Sequence, residues 1–256
     1  MKKSFVVMAG ILGCITIVAL FLRQPWHRSE QAAENVLIVG TNAEYPPFTF
    51  MQNNEIVGFD ISLMREVCRR LGFTMQLKDM SFDILVPEVQ RGSIDLIAAG
   101  MTPTPERAQA LIFTDAYYTG DPLVIVSSLD HPIKNLDELI SGASVVVNDG
   151  YTADIYMSGI AGVQLRRLPN PAGAFLALES GRTDAYVTAQ STVASFLKNN
   201  DKNFSVIPLP GTAENYAFAL SPQRADLLPK INDLLRVLKE EGFLKTLEEK
   251  WGLAHD

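Results

Sequence analysis

The stretch GMTPTPER, residues 100–107, directly follows an apolar run at residues 94–99 that predicts a buried strand. The two prolines mark a turn, and Thr104 and Pro105 suit the N-cap and the first position of a helix. Arg107 then falls in the first helical turn, where a cation does not stabilise the helix dipole. Because a guanidinium group matches the geometry of a carboxylate, we predict a carboxylate-binding segment at the carboxyl end of the strand.

Around this segment, short β-branched runs alternate with amphipathic stretches. Strands are predicted at residues 36–41, 73–77, 94–99, 123–127, 144–148, 184–188 and 216–220. Helices are predicted at residues 61–71, 82–91, 136–140, 172–179, 189–196 and 227–250, the last broken near Gly242. This alternation is typical of an α/β fold with largely parallel sheets, in which ligands bind outside the carboxyl ends of the strands.

The composition is that of an ordinary globular protein, with 256 residues, 47% of them hydrophobic, and a net charge of −7. The acidic balance and the lack of basic runs with interleaved aromatic residues argue against a nucleic-acid partner. Of the two cysteines, Cys14 lies in the N-terminal apolar segment, so the remaining chain holds one thiol, Cys68. We therefore expect neither an intramolecular disulfide there nor a thiolate metal cluster, and no cofactor.

The N-terminus carries a targeting signal. Two lysines precede an apolar stretch at residues 5–22, which ends at Arg23. This pattern predicts an export signal or an uncleaved membrane anchor, followed by a polar tether through residue 35. The remaining chain is therefore expected outside the cytoplasmic membrane, in the periplasm, either released or anchored.

Several motifs occur in a recognisable order. They are GTNAEYPPF at residues 40–48, VGFDI at 57–61, SFD at 81–83, GSIDLI at 92–97, FTDAYY at 113–118, and EGFL and KWG in the closing segment 241–252. Taken together, they resemble the bacterial periplasmic solute-binding proteins of polar amino-acid ABC transporters (the extracellular solute-binding proteins of family 3), over essentially all of residues 36–253.

The resemblance implies a two-lobed α/β fold of the periplasmic-binding-protein type II, with two parallel or mixed sheets joined by a two-strand hinge. The first lobe would comprise residues 36–122 with 219–256, and the second residues 123–218. The hinge strands would lie near residues 123–127 and 217–221. The implied function is a non-enzymatic, monomeric substrate-binding component that closes on a small amino-acid-like ligand and delivers it to an ABC permease in the cytoplasmic membrane.

Matching the family's binding positions gives a predicted site. Arg107 would bind the α-carboxylate of the ligand, and Thr102 would add its backbone N–H and hydroxyl. The carbonyl of Gly100 would face the α-ammonium group. Tyr45 and Phe82 would enclose the ligand side chain.

The second lobe would contribute a loop before a helix whose backbone N–H groups meet the carboxylate. Asn42 stands where relatives often carry Asp for a polar ligand side chain. Because Asn is neutral, a neutral amino acid such as glutamine fits better than an arginine-like ligand, although both remain open. The full predicted ligand set is Asn42, Tyr45, Phe82, Gly100, Met101, Thr102, Arg107, Asn148, Tyr151, Thr152 and Ala189.

Ala189 departs from the family pattern, because relatives place an Asp or Glu there to neutralise the α-ammonium group. Losing that charge-assisted hydrogen bond costs roughly 1.5–3 kcal/mol of binding free energy. Three explanations remain open. An acid such as Asp149 arrives from elsewhere, or Gln190 offers an uncharged carbonyl oxygen; amino-acid affinity is weak; or the ligand carries no α-amine.

Two other functions are compatible with the sequence. Cyclohexadienyl or arogenate dehydratases resemble these receptors, but a dehydratase needs a general acid near the leaving hydroxyl, and residues 187–192 offer no well-placed Glu. A membrane-tethered ligand sensor would fit the N-terminal segment, but it would need a partner with a signalling domain.

Overall fold

The computed structural model describes residues 35–200 and 204–253. The predicted N-terminal apolar span at residues 5–22 lies outside the described residues. In the described ranges, no helix has the length and apolar character needed to span a bilayer.

The described chain alternates strands and helices. The strands are β1 (Val36–Thr41), β2 (Glu44–Tyr45), β3 (Thr49–Gln52), β4 (Glu55–Val57), β5 (Thr74–Asp79), β6 (Leu96–Ile97), β7 (Ile112–Phe113), β8 (Tyr118–Asp121), β9 (Leu123–Ser128), β10 (Ser144–Asn148), β11 (Gln164–Leu168), β12 (Ala185–Ala189), β13 (Phe204–Pro208), β14 (Glu214–Tyr216) and β15 (Ala219–Leu220). The helices are α1 (Phe59–Leu71), α2 (Leu85–Gln90), α3 (Leu136–Ile140), α4 (Thr152–Ser158), α5 (Pro171–Glu179), α6 (Gln190–Asn200), α7 (Leu228–Glu240) and α8 (Phe243–Trp251).

The first five-stranded sheet has the order β5-β1-β6-β15-β7. Strands β1 and β6 run parallel, with Val39 opposite Leu96, whereas β15 runs antiparallel to both β6 and β7. Helix α1 packs against α7 and α8, and its apolar face contributes Leu63, Met64 and Val67 to the core of this lobe. The apolar spacing in α1 is the helical period that the sequence predicts.

The second five-stranded sheet has the order β11-β10-β12-β9-β13. Strand β10 pairs in parallel with β11 and β12, and β9 runs antiparallel to β12 and β13. Val145 and Val147 face one apolar core while Val146 faces another on the opposite side of the sheet. Because both faces are covered, a continuous apolar run rather than a polar–apolar alternation forms this strand.

The chain crosses between the two sheets at β8 and β14, which pair antiparallel with Tyr118 opposite Tyr216. Strand β8 follows β7 of the first sheet and precedes β9 of the second, and β14 makes the return crossing before β15. The predicted hinge ranges, 123–127 and 217–221, were therefore a few residues too late. The apolar runs chosen for the hinge are buried sheet strands, whereas the crossing strands have a mixed polar and apolar sequence.

Two other predictions need correction. The predicted helix after Pro105 is a single 3-10 turn, Arg107–Gln109, because the chain leaves it to form β7. The expected capping contact is nevertheless present, since the Arg107 amide donates to Thr104 Oγ1 at 3.3 Å. The predicted strand at residues 216–220 is split, because Tyr216 belongs to the crossing pair and β15 belongs to the first sheet.

Candidate functional site

A narrow cavity of about 20 Å³, which has room for little more than one water molecule, lies between the two lobes. The first lobe contributes strand β2, the turn before α2 and the segment after β6, while the second contributes the end of β10 with the start of α4, the end of β12 and the first residue of β9. Strand β14 contributes one side chain. The lining residues are Tyr45, Phe82, Ala99, Gly100, Leu123, Asn148, Tyr151, Thr152, Ala153, Val187, Thr188, Ala189 and Glu214.

Arg107 lies beside this cavity and contacts both lobes. Its Nη1 donates to the Thr102 carbonyl at 2.7 Å, and its Nη2 donates across the cleft to the Gly150 carbonyl at 2.9 Å. The guanidinium carbon is 5.3 Å from the centroid of the Phe82 ring. Burial lowers the pKa of Arg107 to about 10, so the group stays charged at neutral pH. Two of five N–H donors are used, which leaves donors for a carboxylate.

Gly100 has a backbone conformation that requires glycine. Its φ is +58°, and a Cβ there would lie 2.6 Å from Cε1 of Tyr45. Its amide donates to Oδ2 of the buried Asp60 at 2.6 Å, and the Tyr117 hydroxyl donates to the same oxygen at 2.7 Å. Asp60 therefore holds the segment that begins with Gly100, and burial raises its own pKa to about 7.

Three aromatic rings form one wall of the cavity. Tyr151 from the second lobe contacts both predicted aromatic residues, with centroid distances of 5.6 Å to Tyr45 and 4.5 Å to Phe82. The hydroxyl of Tyr45 lies 2.8 Å from that of Tyr216. A ligand side chain in this cavity would thus meet ring faces and edges from both lobes.

Asn42 lies behind this wall and does not line the cavity. Its Oδ1 accepts a 2.9 Å hydrogen bond from the Tyr151 hydroxyl, and its Nδ2 donates to the Met80 carbonyl at 3.1 Å. Both polar atoms of the side chain are thus bonded within the protein. The structure therefore brings Asn42 to Tyr151 rather than to the space where a ligand side chain would lie.

The predicted loop of the second lobe lines the cavity directly. Asn148 ends β10, where its Oδ1 accepts a 2.5 Å hydrogen bond from the Tyr186 hydroxyl. Gly150 has a φ of +72°, and its amide donates to Asp154 Oδ2 at 3.1 Å. Thr152 begins α4. This turn directs the Gly150 carbonyl to Arg107 and brings Tyr151 and Thr152 to the cavity.

Met101 differs from its neighbours in the clamp segment, residues 100–107. Its side chain is fully buried in the core of the first lobe, and it does not line the cavity. Its carbonyl accepts a 3.0 Å hydrogen bond from the Ala217 amide. Met101 thus joins the clamp segment to the connection between β14 and β15.

Ala189 lines the cavity at the end of β12, with only a methyl group in the place where the family resemblance predicts an acid. Neither proposed substitute reaches the cavity, because Asp149 and Gln190 are both exposed and neither is among its lining residues. The acid that does line it is Glu214, which was not among the residues predicted from the sequence.

Glu214 is 5% exposed, and its Oε1 accepts a 2.9 Å hydrogen bond from the Thr102 hydroxyl. The Tyr216 hydroxyl donates to Oε2 at 3.4 Å. Burial, with a smaller contribution from Asp121, raises the pKa of Glu214 to about 7, while Thr152, Thr102 and Arg107 oppose the shift. The local sequence gives little signal for this residue, because its partner Thr102 is 112 positions away along the chain.

Similarity to known proteins agrees with this architecture. The model of the bacterial extracellular solute-binding proteins, family 3, matches residues 37–254. The arginine-binding extracellular protein ArtP of Bacillus subtilis is 29% identical over 255 residues, which cover 98% of each chain. The probable ABC transporter arginine-binding protein ArtJ of Chlamydia trachomatis is 31% identical over 225 residues, covering 84% of this chain and 85% of that protein.

A solved structure shows the same fold. The crystal structure of the P235GK mutant of ArgBP from T. maritima has a TM-score of 0.79 and 37% identity, and the match covers 87% of this chain and 97% of that chain. The predicted two-lobed α/β fold of type II is thereby confirmed. The chain belongs to the bacterial extracellular solute-binding proteins of family 3.

Proposed function

We propose that this protein binds a polar α-amino acid between its two lobes and delivers it to an ABC importer. The observation that carries the proposal is the position of Arg107, which bonds Thr102 in one lobe and Gly150 in the other. A carboxylate bound there meets the guanidinium group at the line where the lobes meet. Ligand binding and lobe closure would then stabilise each other.

Arginine is the first candidate ligand, ahead of glutamine. The relatives ArtP and ArtJ are both named as arginine-binding. The preference for arginine rests on these relatives, because the buried pair Glu214 and Arg107 suits the ammonium and carboxylate groups that every α-amino acid carries.

The ligand set follows the predicted one, with different roles for two of its members. Tyr45, Phe82 and Tyr151 contact the ligand side chain, whereas Asn42 and Met101 support the wall and the clamp from behind. The lobe boundaries proposed from the sequence, residues 36–122 with 219–256 and residues 123–218, are retained. The protein acts as a monomer outside the cytoplasmic membrane, and its macromolecular partner is the permease.

The test is calorimetric titration of the purified protein with arginine, lysine, histidine, glutamine and a control sugar. We expect saturable binding of arginine with a dissociation constant in the micromolar range or below. At a ligand concentration one hundred times that constant, the folded state gains about 2.7 kcal/mol, so thermal unfolding provides a second readout. If none of these amino acids binds or stabilises the protein, the proposal fails.

We further propose that the protein performs no chemistry on its ligand. The relatives are named as binding proteins, and this supports a receptor over the dehydratase alternative. Incubation with prephenate, followed by an absorbance assay for phenylpyruvate, tests the point directly. Turnover above the uncatalysed rate would contradict it.

A further inference from the structure

The cavity contains one carboxylate among its described lining residues, and that carboxylate belongs to Glu214. The residue lies on β14, opposite Asp121 of β8, so it reaches the cavity from the strand pair that joins the lobes. Its side chain is almost fully buried. The hydroxyls of Thr102 and Tyr216 donate to it, but a cation compensates a buried carboxylate more fully, and so a cationic ligand group would stabilise it.

The surroundings of Glu214 indicate which part of a ligand it would meet. Thr102 joins the acid to the clamp, because its hydroxyl donates to Glu214 Oε1 at 2.9 Å while its carbonyl accepts from Arg107 Nη1 at 2.7 Å. In an α-amino acid, the ammonium and carboxylate groups are attached to the same carbon. A group that binds the ammonium must therefore lie close to the group that binds the carboxylate, as Glu214 does.

We propose that Glu214 binds the α-ammonium group of the ligand and thereby replaces the acid that is missing at Ala189. This inference rests on the proposed function, since it assumes that Arg107 binds the α-carboxylate. The counter-charge for the ammonium group comes from a crossing strand instead of from the end of β12. The cavity wall at Ala189 then contributes only a methyl contact.

The protonation of Glu214 gives this assignment a distinct signature. With its pKa near 7, the free protein holds Glu214 partly protonated at neutral pH, and an ammonium ligand favours the ionised form. Arg107 and the two tyrosines that face it keep their charge states between pH 6 and 8. Arg107 has a pKa of about 10, and burial holds the pKa values of Tyr45 and Tyr216 well above 10. The carboxylate of Asp121 faces it from β8 and contributes to its raised pKa.

Binding should therefore release protons, and affinity should rise with pH. We expect arginine to bind about tenfold more weakly at pH 6 than at pH 8 in the wild-type protein. In Glu214→Gln, which keeps the shape of the side chain without its charge, this dependence should disappear. Calorimetry in buffers of different ionisation enthalpy would also detect the released protons.

The decisive experiment compares arginine with 5-guanidinopentanoate, which lacks only the α-amine. Wild-type protein should bind arginine at least tenfold more tightly than the analogue. Glu214→Gln should lose most of this preference, while Glu179→Gln, at an exposed glutamate, should keep it. Adding Ala189→Asp to Glu214→Gln should restore the preference, because it returns an acid to the same cavity.

The outcomes separate this inference from the proposed function. If wild-type protein binds arginine and Glu214→Gln, folded by thermal unfolding, keeps both its affinity and its preference, the assignment of Glu214 is wrong while the receptor function stands. If wild-type protein binds no amino acid, both proposals fail. If Glu214→Gln does not fold, the comparison of wild-type affinity at pH 6 and pH 8 decides, and a flat profile overturns the assignment.

Discussion

Arg107 and Gly150 are joined across the cleft, with Nη2 of the arginine 2.9 Å from the carbonyl oxygen of the glycine. One side chain of the first lobe thus bonds the backbone of the second lobe beside the cavity. Because the same guanidinium group is proposed to bind the ligand carboxylate, removal of its charge affects ligand contact and lobe closure together. The clamp and the contacts across the cleft therefore need variants that affect one of them at a time.

Replacement of Arg107 tests the clamp. Arg107→Ala should abolish arginine binding, and Arg107→Lys should weaken it at least tenfold, because an ammonium group lacks the planar fork that holds a carboxylate with two hydrogen bonds. Calorimetry on both variants measures the effect. Arg236→Lys, at an exposed arginine in α7, serves as the control and should bind as the wild type does. Wild-type affinity in Arg107→Ala would show that the site is assigned incorrectly.

A side chain at Gly150 would press against the opposite lobe, so a substitution there tests whether the two lobes must pack closely for the ligand to bind. A Cβ at this position would lie 3.3 Å from the Asp83 Cα, and the residue has a φ of +72°. Gly181 has a similar φ of +65°, but a Cβ added there would meet no other atom within 4 Å. Alanine at either position should cost about 1 kcal/mol of folding free energy through backbone strain.

Gly150→Ala should in addition weaken arginine binding several-fold and enlarge the radius of gyration of the ligand-bound protein, because the added methyl group presses against the opposite lobe. Small-angle scattering with and without arginine measures the second effect. Gly181→Ala should lose stability without either change. Equal affinities for the two variants would mean that this contact does not limit closure.

Strands and helices with a signal in their own sequence were predicted, whereas strands that depend on a distant partner were not. The apolar run in β10 and the short helix α3 were predicted with their observed bounds, because an apolar run and helical spacing are local signals; in the structure the Asn135 side chain also caps α3. Strands β8 and β14 were not predicted. They are short, and they are stabilised mainly by pairing with each other across a long separation in the chain.

The site residues, like the strands and helices, fall into those with a local sequence signal and those placed by long-range contacts. Arg107 was predicted from a local motif, because an arginine in the first turn of a predicted helix does not stabilise that helix, whereas Gly100 was placed in the site by the family resemblance. The position of Asn42 depends on Tyr151 from the other lobe, and Glu214 depends on Thr102. Such contacts are set by tertiary packing, so residue type and spacing alone do not predict them.

The hydrogen bond between Tyr151 and Asn42 should stabilise the closed form. Tyr151→Phe removes the hydroxyl donor and leaves the buried Asn42 Oδ1 without this partner, while the ring remains in the cavity wall. A loss of about 0.5–1.5 kcal/mol of binding free energy is expected, which corresponds to a roughly two- to tenfold weaker arginine affinity. Tyr156→Phe, on the same helix but outside the cavity lining, provides the control. An unchanged dissociation constant for Tyr151→Phe would show that this hydrogen bond does not stabilise the closed form.

The buried acids predict how the stability of the ligand-free protein depends on pH. Burial raises the pKa of Asp60 from 3.8 to about 7 and that of Glu214 from 4.5 to about 7. Between these values the folded state binds more protons than the unfolded state. The free energy of unfolding should therefore be highest near pH 4 and should fall as pH rises from there through 7, by up to a few kcal/mol in total.

The variant Asp60→Asn separates the contributions of Asp60 and Glu214 to the pH dependence of the free energy of unfolding. Asn keeps an acceptor for the Gly100 amide and the Tyr117 hydroxyl but cannot ionise, so the decline in stability between pH 5 and pH 8 should be roughly halved. Urea denaturation across this range measures the slope, with Asp130→Asn at an exposed loop position as the control. Arginine should reduce the remaining slope, because it stabilises ionised Glu214 in the folded state. A slope that is the same in Asp60→Asn and wild type would mean that Asp60 is already ionised near pH 5, and its burial would then need a compensating cation.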